Sequence, residues 1–451
     1  MSYYKVPKDC QIPNLSEIYE MYLGCKDTGV FVEIGANDGE YVSNTCFLAD
    51  IGWKGYYVEP LPDIAQKCKQ RHKDNDVKVI EIAICDYDGT ANIYRSPDDE
   101  ASGSVVLTDE QAEKYSNEFT GHIEVPCMSI GAFMAAEYIK PGIDLLVVDT
   151  EGTEYEILYN YNFDYYKPKM VIVETHANPT KINMLKDLMQ YYTVVYSDEI
   201  NTVFVNNDIF FGIYKDNMKR DIKGVMSLPR LMMSDESRCI ASLMVNIGIE
   251  IRQGGGAFWD QTMTNAMKKS IGSKYILAID SDTLFEPVDV IRLYDILEKR
   301  DDIDCIAAMQ TMRVTDKLLL NFKDEDIEEG IIPAWLMFCD TFEVTTAHFG
   351  LTLMRTEKLK KIAKPWFSGY AGDDGEWGND RVDADIHFWN QWRAAGNNIH
   401  IANNVVVGHM ELMACYPDKM LNKFYVHPID VFNNGKPEKA WPIKAGQRLI
   451  E

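Results

Sequence analysis

Glycines and carboxylates at the ends of apolar runs are the residues of this chain best suited to chemistry, and they fall into two sets. In the first, Val30-Phe31-Val32-Glu33-Ile34 runs directly into Gly35-Ala36-Asn37-Asp38-Gly39-Glu40. Glycines at a strand end permit a tight turn and let the backbone approach a ligand closely. The spacing is GxNDG and not GxGxxG, so the pyrophosphate cradle of dinucleotide enzymes is not matched. Glu59 stands 24 residues after Gly35, at the end of Tyr56-Tyr57-Val58, where a carboxylate can accept both hydroxyls of a ribose. A third strand is expected to end near Ala83, placing Asp86 to hydrogen-bond an adenine amino group. Together these strand ends describe an adenosine pocket without a phosphate site, which favours S-adenosylmethionine over NAD. Asp149, Glu151, Glu174 and His176 follow two further apolar runs. Methyl transfer from a sulfonium needs the acceptor oxygen held in line and its proton removed. His176 is the natural base near neutral pH, the alternative being that it only hydrogen-bonds a neighbouring loop. Asp149 would contact the cofactor or orient the acceptor.

The second set begins where Tyr275-Ile276-Leu277-Ala278-Ile279 emerges into Asp280-Ser281-Asp282. Two carboxylates two residues apart at a strand end can both face a divalent cation, and hard oxygen ligands suit Mg²⁺ or Mn²⁺. Such a cation would neutralise a diphosphate leaving group. A helix containing Asn265 precedes the strand. Arg230 is a possible base or phosphate contact, and Trp366, Tyr370, Trp377, Trp389 and Trp392 divide between stacking on sugar rings and packing in a core.

The elements that must hold these residues are legible as a pattern. Near-continuous β-branched runs at residues 30–34, 56–59, 79–84, 145–149, 170–174 and 193–196 alternate with helical stretches. A parallel sheet covered on both faces requires this, so a Rossmann-like, doubly wound α/β domain is expected over residues 1–214. The pattern breaks around residues 212–223 and resumes at Val225, predicting a second α/β domain over residues 215–451. Strands are expected there near residues 273–279, 305–309, 399–401 and 405–407, with a Gly- and Asp-rich loop over 368–380.

Residues 29–205 resemble the FkbM family of methyltransferases. The resemblance rests on residues 31–39, on Val58-Glu59-Pro60, on Ile143-Asp144-Leu145-Leu146-Val147-Val148-Asp149-Thr150-Glu151-Gly152-Thr153-Glu154 and on Val171-Ile172-Val173-Glu174-Thr175-His176. Val147 stands where the family usually has lysine. The resemblance implies O-methylation of a hydroxyl, often on a sugar or natural product, with Glu33, Gly35, Asn37, Gly39, Glu59, Asp86 and Glu151 around the cofactor. Residues 224–415 resemble GT-A glycosyltransferases through Asp280-Ser281-Asp282, residues 349–355, Asp383-Ala384-Asp385-Ile386-His387-Phe388, and Gly396 followed by Val407-Gly408-His409. This implies a nucleotide-sugar donor near Asn265, Asp280 and Asp282, a metal ion on Asp280, Asp282 and His409, and an acceptor base at Asp385 or Asp383. The combination predicts a bifunctional glycan-modifying enzyme. The alternative is an active methyltransferase joined to a carbohydrate-binding, non-catalytic GT-A-like domain.

With 451 residues, 46% hydrophobic and 25% charged, the chain can bury two sizeable cores. Its formal charge of −25 opposes nucleic-acid binding. Acidic clusters such as 98–100 and 324–326 read as solvated loops. Residues 1–14 lack a basic stretch leading into an apolar run, and nothing reaches the roughly 18 consecutive apolar residues of a membrane span. Ten scattered cysteines without a CxxC pair suggest reduced thiols, so a cytoplasmic location is expected.

Overall fold

The computed structural model describes residues 2–8, 10–95, 104–106, 122–228, 233–256, 258–312, 318–322, 339–378, 380–411, 413–417 and 424–428. Arg230 and the acidic clusters 98–100 and 324–326 lie outside these residues. The chain divides into two compact α/β units, Met1–Ile213 and Tyr214–Glu451. The polar stretch at 212–223, where the strand pattern breaks, is largely the end of a helix, Asn207–Asp221. No helix among the described residues is long and apolar enough to cross a membrane.

In the first unit, strands β1 (Val30–Ile34), β2 (Lys54–Val58), β3 (Val77–Ile80), β4 (Ala83–Cys85), β5 (Gly89–Arg95), β6 (Ser104–Val106), β7 (His122–Ser129), β8 (Leu145–Val148), β9 (Met170–Glu174), β10 (Tyr192–Ser197) and β11 (Asn201–Asn206) form two sheets. The larger has the order β10-β11-β9-β8-β1-β2-β3. Its strands β9, β8, β1, β2 and β3 run parallel, and β11 lies antiparallel between β9 and β10. Val32, Ile34, Leu146, Val148, Val171 and Val173 on one face pack with Phe133, Ile157, Leu158 and Leu185 of the covering helices. The alternate residues Phe31, Leu145, Val147, Met170 and Ile172 are buried too, so both faces are dry. Each such side chain contributes about 1.5–3 kcal/mol by leaving water. The run expected as one strand over 79–84 is broken. Residues 77–80 finish the large sheet as β3, whereas β4 pairs with β7 in a separate sheet of order β4-β7-β5-β6. Glu81, exposed between the two, marks the change of partner.

The second unit is built on β12 (Ile222–Leu228), β13 (Glu250–Gly255), β14 (Tyr275–Ile279), β15 (Thr283–Leu284), β16 (Cys305–Met309), β17 (Asn321–Phe322), β18 (Thr341–Thr346), β19 (Leu351–Arg355), β20 (His400–Val406) and β21 (Gly408–His409). The main sheet has the order β13-β12-β14-β19-β16-β20-β18-β17. The first three strands are mutually parallel, and β19 enters antiparallel between β14 and β16. The runs expected at 399–401 and 405–407 are one strand, β20, irregular at its pairing with Met309. A short ribbon then pairs β15 with β21 and puts Thr283 opposite His409. The helix Pro287–Lys299 begins with Pro at its first position and a capping box between Glu286 and Asp289, which satisfies donors the helix leaves open.

Candidate active sites

At the carboxyl ends of β1, β2 and β8 a cavity of about 330 Å³ opens, lined by Glu33, Gly35, Asn37, Glu59, Asp149 and Glu151 among others. That volume falls within the range of small-molecule pockets. The β1 turn is built by backbone constraint. Gly35 has φ +84°, and a Cβ there would lie 1.6 Å from the carbonyl oxygen of Asp149, so only glycine lets β1 and β8 converge beneath the cavity. Gly39 is likewise closed in by Cys68 and by His72, whose Nε2 meets the Gly39 carbonyl at 2.7 Å. Glu59 accepts from the amide of Asn37 (3.1 Å, at Oε2) and from that of Leu61 (2.9 Å, at Oε1). Its carboxylate is therefore fixed at the cavity wall. Glu33 is buried and accepts from the hydroxyls of Thr45 and Ser43. Burial, aided by the Asp149 charge, pushes its carboxyl up to about 7.

The Glu-Gly-x-Glu turn after β8 is organised by its last member. Fully buried Glu154 accepts from the amides of Thr150 and Gly152, both at 2.9 Å, and pairs with Lys181. Glu151 is thereby held at φ +58°. Glu174 at the end of β9 is buried, and its Oε1 lies 3.2 Å from Nε2 of the exposed His176. Burial and then the neighbouring Asp149 and Glu151 charges push the Glu174 carboxyl upward. Burial and Glu154 do the same to Asp149, which also hydrogen-bonds Glu174 and Gln11.

Asp86 is not brought to this place. It follows β4, is exposed and does not line the cavity; Ile82, Ala83, Ile84 and Ile93 form that wall instead. Gln11, from the segment before the first helix, lines the cavity and accepts from Asn201 at 3.0 Å. No sequence signal marked it, because its role depends on a contact 190 residues away.

In the second unit, Asp280 follows β14 half-buried, and desolvation followed by the Asp282 charge pushes its carboxyl up to about 7. Trp259 Nε1 donates to its Oδ1 at 3.4 Å. Asp282 Oδ2 lies 3.4 Å from His409 Nε2. The other ring nitrogen, Nδ1, lies 2.9 Å from the Thr311 carbonyl, which can only accept. Nδ1 thus carries a hydrogen, which leaves Nε2 as the ring atom facing Asp282 and available to a cation when it is unprotonated. Of the acidic pair before the helix Ala384–Ala394, Asp385 acts on Asp280 electrostatically, whereas Asp383 pairs with Arg381 at 3.0 Å on the surface. Asn265 is exposed on its helix, on the side away from buried Thr262, Met263, Ala266 and Met267.

Sequence reasoning missed Glu236. This residue, in the helix Ser234–Asn246, is fully buried, and neither of its carboxylate oxygens has a hydrogen-bond partner. Burial and the charges of Asp282 and Asp280 push it up to about 8. The sequence Ser234-Asp235-Glu236-Ser237 reads as a solvated first helical turn, so nothing local gave it away. His348, also missed, donates from Nε2 to the Ala308 carbonyl and accepts at Nδ1 from Gly350, whose carbonyl in turn receives the Asp280 amide. Trp366, Trp389 and Trp392 are core residues, and Tyr370 and Trp377 remain exposed.

Residues 33–204 match the family described as the methyltransferase FkbM domain. No curated protein matches the chain at a significant level. Similar solved structures include A197 from STIV (14% identity, 42% of this chain and 85% of that chain, TM-score 0.31). Aeropyrum pernix fibrillarin with bound S-adenosyl-L-methionine is 13% identical over 40% of this chain and 66% of that one, with a TM-score of 0.22. GalNAc-T7 with UDP, GalNAc and Mn²⁺ is 11% identical over 42% of this chain and 43% of that one, with a TM-score of 0.30.

Proposed function

We propose that the first unit is an S-adenosylmethionine-dependent O-methyltransferase acting on a sugar or related hydroxyl. The observation that carries this reading is Glu59, clamped by amides from both sides at the wall of a cavity that has a glycine turn but no phosphate cradle. The carboxylate would take the ribose hydroxyls, and the backbone at Gly35 would let the cofactor lie against β1. In the reaction the acceptor oxygen bonds to the methyl carbon as the carbon–sulfur bond breaks, and the electron pair goes to sulfur. The hydroxyl proton passes to His176 or to the Asp149–Glu174 pair, which stand at the ends of β8 and β9 beside that cavity. Incubation with methyl-labelled S-adenosylmethionine and a panel of sugars and glycosides tests this reading. Label should enter a methyl ether with wild type and not with Glu59→Ala.

The second unit is read as a divalent-metal-dependent glycosyltransferase. The approach of His409 Nε2 to Asp282, next to half-buried Asp280, favours it. Asp280, Asp282 and His409 would hold Mn²⁺ or Mg²⁺ against the donor diphosphate, and Asp385 would deprotonate the acceptor. Turnover of UDP-, GDP- or dTDP-sugars with Mn²⁺ tests it. Glycan binding without turnover of any nucleotide sugar would instead make this unit a carbohydrate-binding partner of the methyltransferase.

A further inference from the structure

Glu151, Glu174 and His176 are the one group of three or more described His, Cys, Asp or Glu residues whose potential ligand atoms all lie within 4.8 Å of one another. They come from two separate strand ends, after β8 and at β9, so their meeting is made by the sheet and not by local sequence. The His176 Nε2 to Glu174 Oε1 separation is 3.2 Å. Two ligands about 2.1 Å from a shared ion, at 90–110° to each other, stand roughly 3.0–3.5 Å apart. Glu174 is 3% exposed, and apart from the contact with Asp149, a hydrogen bond only when one of the two acids holds a proton, no donor reaches its Oε2. A buried carboxylate oxygen without a donor is costly and needs a positive neighbour. Nearby Glu154 has such a neighbour in Lys181, whereas the ion-pair contact of Glu174 among the described residues is His176 itself.

We propose that Glu151, Glu174 and His176 bind a divalent cation beside the cofactor cavity, and that this ion positions the acceptor of methyl transfer; with Glu174 and His176 engaged as ligands, Asp149 is the group left to take the hydroxyl proton. Two carboxylates and one imidazole form a mixed oxygen and nitrogen donor set suited to Mn²⁺ or Zn²⁺. Three protein ligands leave coordination positions open, as in metal sites that receive a substrate. Glu151 and its neighbour Asp149 line the cavity, so an oxygen ligand completing the coordination would approach the place where the methyl group is delivered. The acceptor class that fits is a hydroxyl with a second oxygen on the adjacent carbon, which can chelate through both. The identity of the acceptor rests on the methyltransferase reading; the cation site does not.

The test uses the full chain carrying Asp280→Ala, which silences the candidate metal site of the second unit. Mn²⁺ uptake is followed by electron paramagnetic resonance, and S-adenosylmethionine binding by calorimetry on the same samples. One Mn²⁺ should bind, with nitrogen modulation in the pulsed spectrum. Glu174→Gln should weaken uptake by about 10-fold or more, and His176→Ala should remove the nitrogen signal. His176 is exposed, so its substitution leaves the core intact and carries the test if Glu174→Gln does not fold. Absence of Mn²⁺ uptake at millimolar concentration, or uptake with no nitrogen signal and unaltered by either substitution, overturns the proposal. Mn²⁺ uptake without S-adenosylmethionine binding would keep the cation site and overturn the methyltransferase reading. The reverse result would remove the cation alone.

Discussion

The carbonyl oxygen of Asp149 occupies the space into which a Cβ on Gly35 would project, 1.6 Å from where that atom would stand. Both partners are backbone, so no side-chain rotation relieves the conflict, and Gly35 also sits at φ +84°. Gly35→Ala is therefore expected to destabilise the first unit by at least about 2 kcal/mol and to weaken S-adenosylmethionine binding by about 10-fold or more. Hydrogen exchange and calorimetry read the two effects separately. A variant with unchanged stability would show that the close approach of β1 and β8 is not required.

Glu33 gives the first unit a pH dependence of defined sign. Its carboxyl is raised to about 7 in the fold from an ordinary 4.5, so the folded state holds this proton more tightly than the unfolded one. The contribution is complete below pH 4.5 and is lost as pH rises toward 7, amounting to about 3 kcal/mol at most. Glu33→Gln should flatten that slope in urea unfolding of the first unit followed by hydrogen exchange. An equal slope in wild type and variant would place the titration elsewhere.

Glu236 is expected to trade stability for function. Its two unpartnered oxygens are held in a fully buried place next to Asp280 and Asp282. Glu236→Gln should stabilise the second unit by about 1 kcal/mol while weakening Mn²⁺-dependent nucleotide-sugar binding. If the substitution destabilises the unit and leaves that binding intact, Glu236 has a structural role.

The elements that could be seen in the sequence are those whose signal is local and continuous. Met170–Glu174 and Cys305–Met309 are strands over the residues their apolar runs mark, because a strand buried on both faces has no polar alternation to blur its ends. What escaped depended on partners far along the chain. Nothing in residues 79–84 shows that Ala83–Cys85 leaves one sheet for another, since the pairing with Cys127–Ser129 is set by distant residues. Asn201–Asn206 alternates too weakly to announce an antiparallel insertion between β9 and β10. Among the site residues, Glu59, Asp149, Asp280 and Asp282 could be named because they end apolar runs. Gln11, Glu236 and His348 could not, as each acts through contacts that only the folded chain creates.

Calorimetric titration of S-adenosylmethionine into the full chain, without added metal, tests most directly whether the cavity at the ends of β1, β2 and β8 binds this cofactor through Glu59. Saturable 1:1 binding is predicted, weakened about 10- to 100-fold in Glu59→Ala through loss of charge-assisted hydrogen bonds. No binding to wild type, or equal binding to wild type and variant, would contradict this reading.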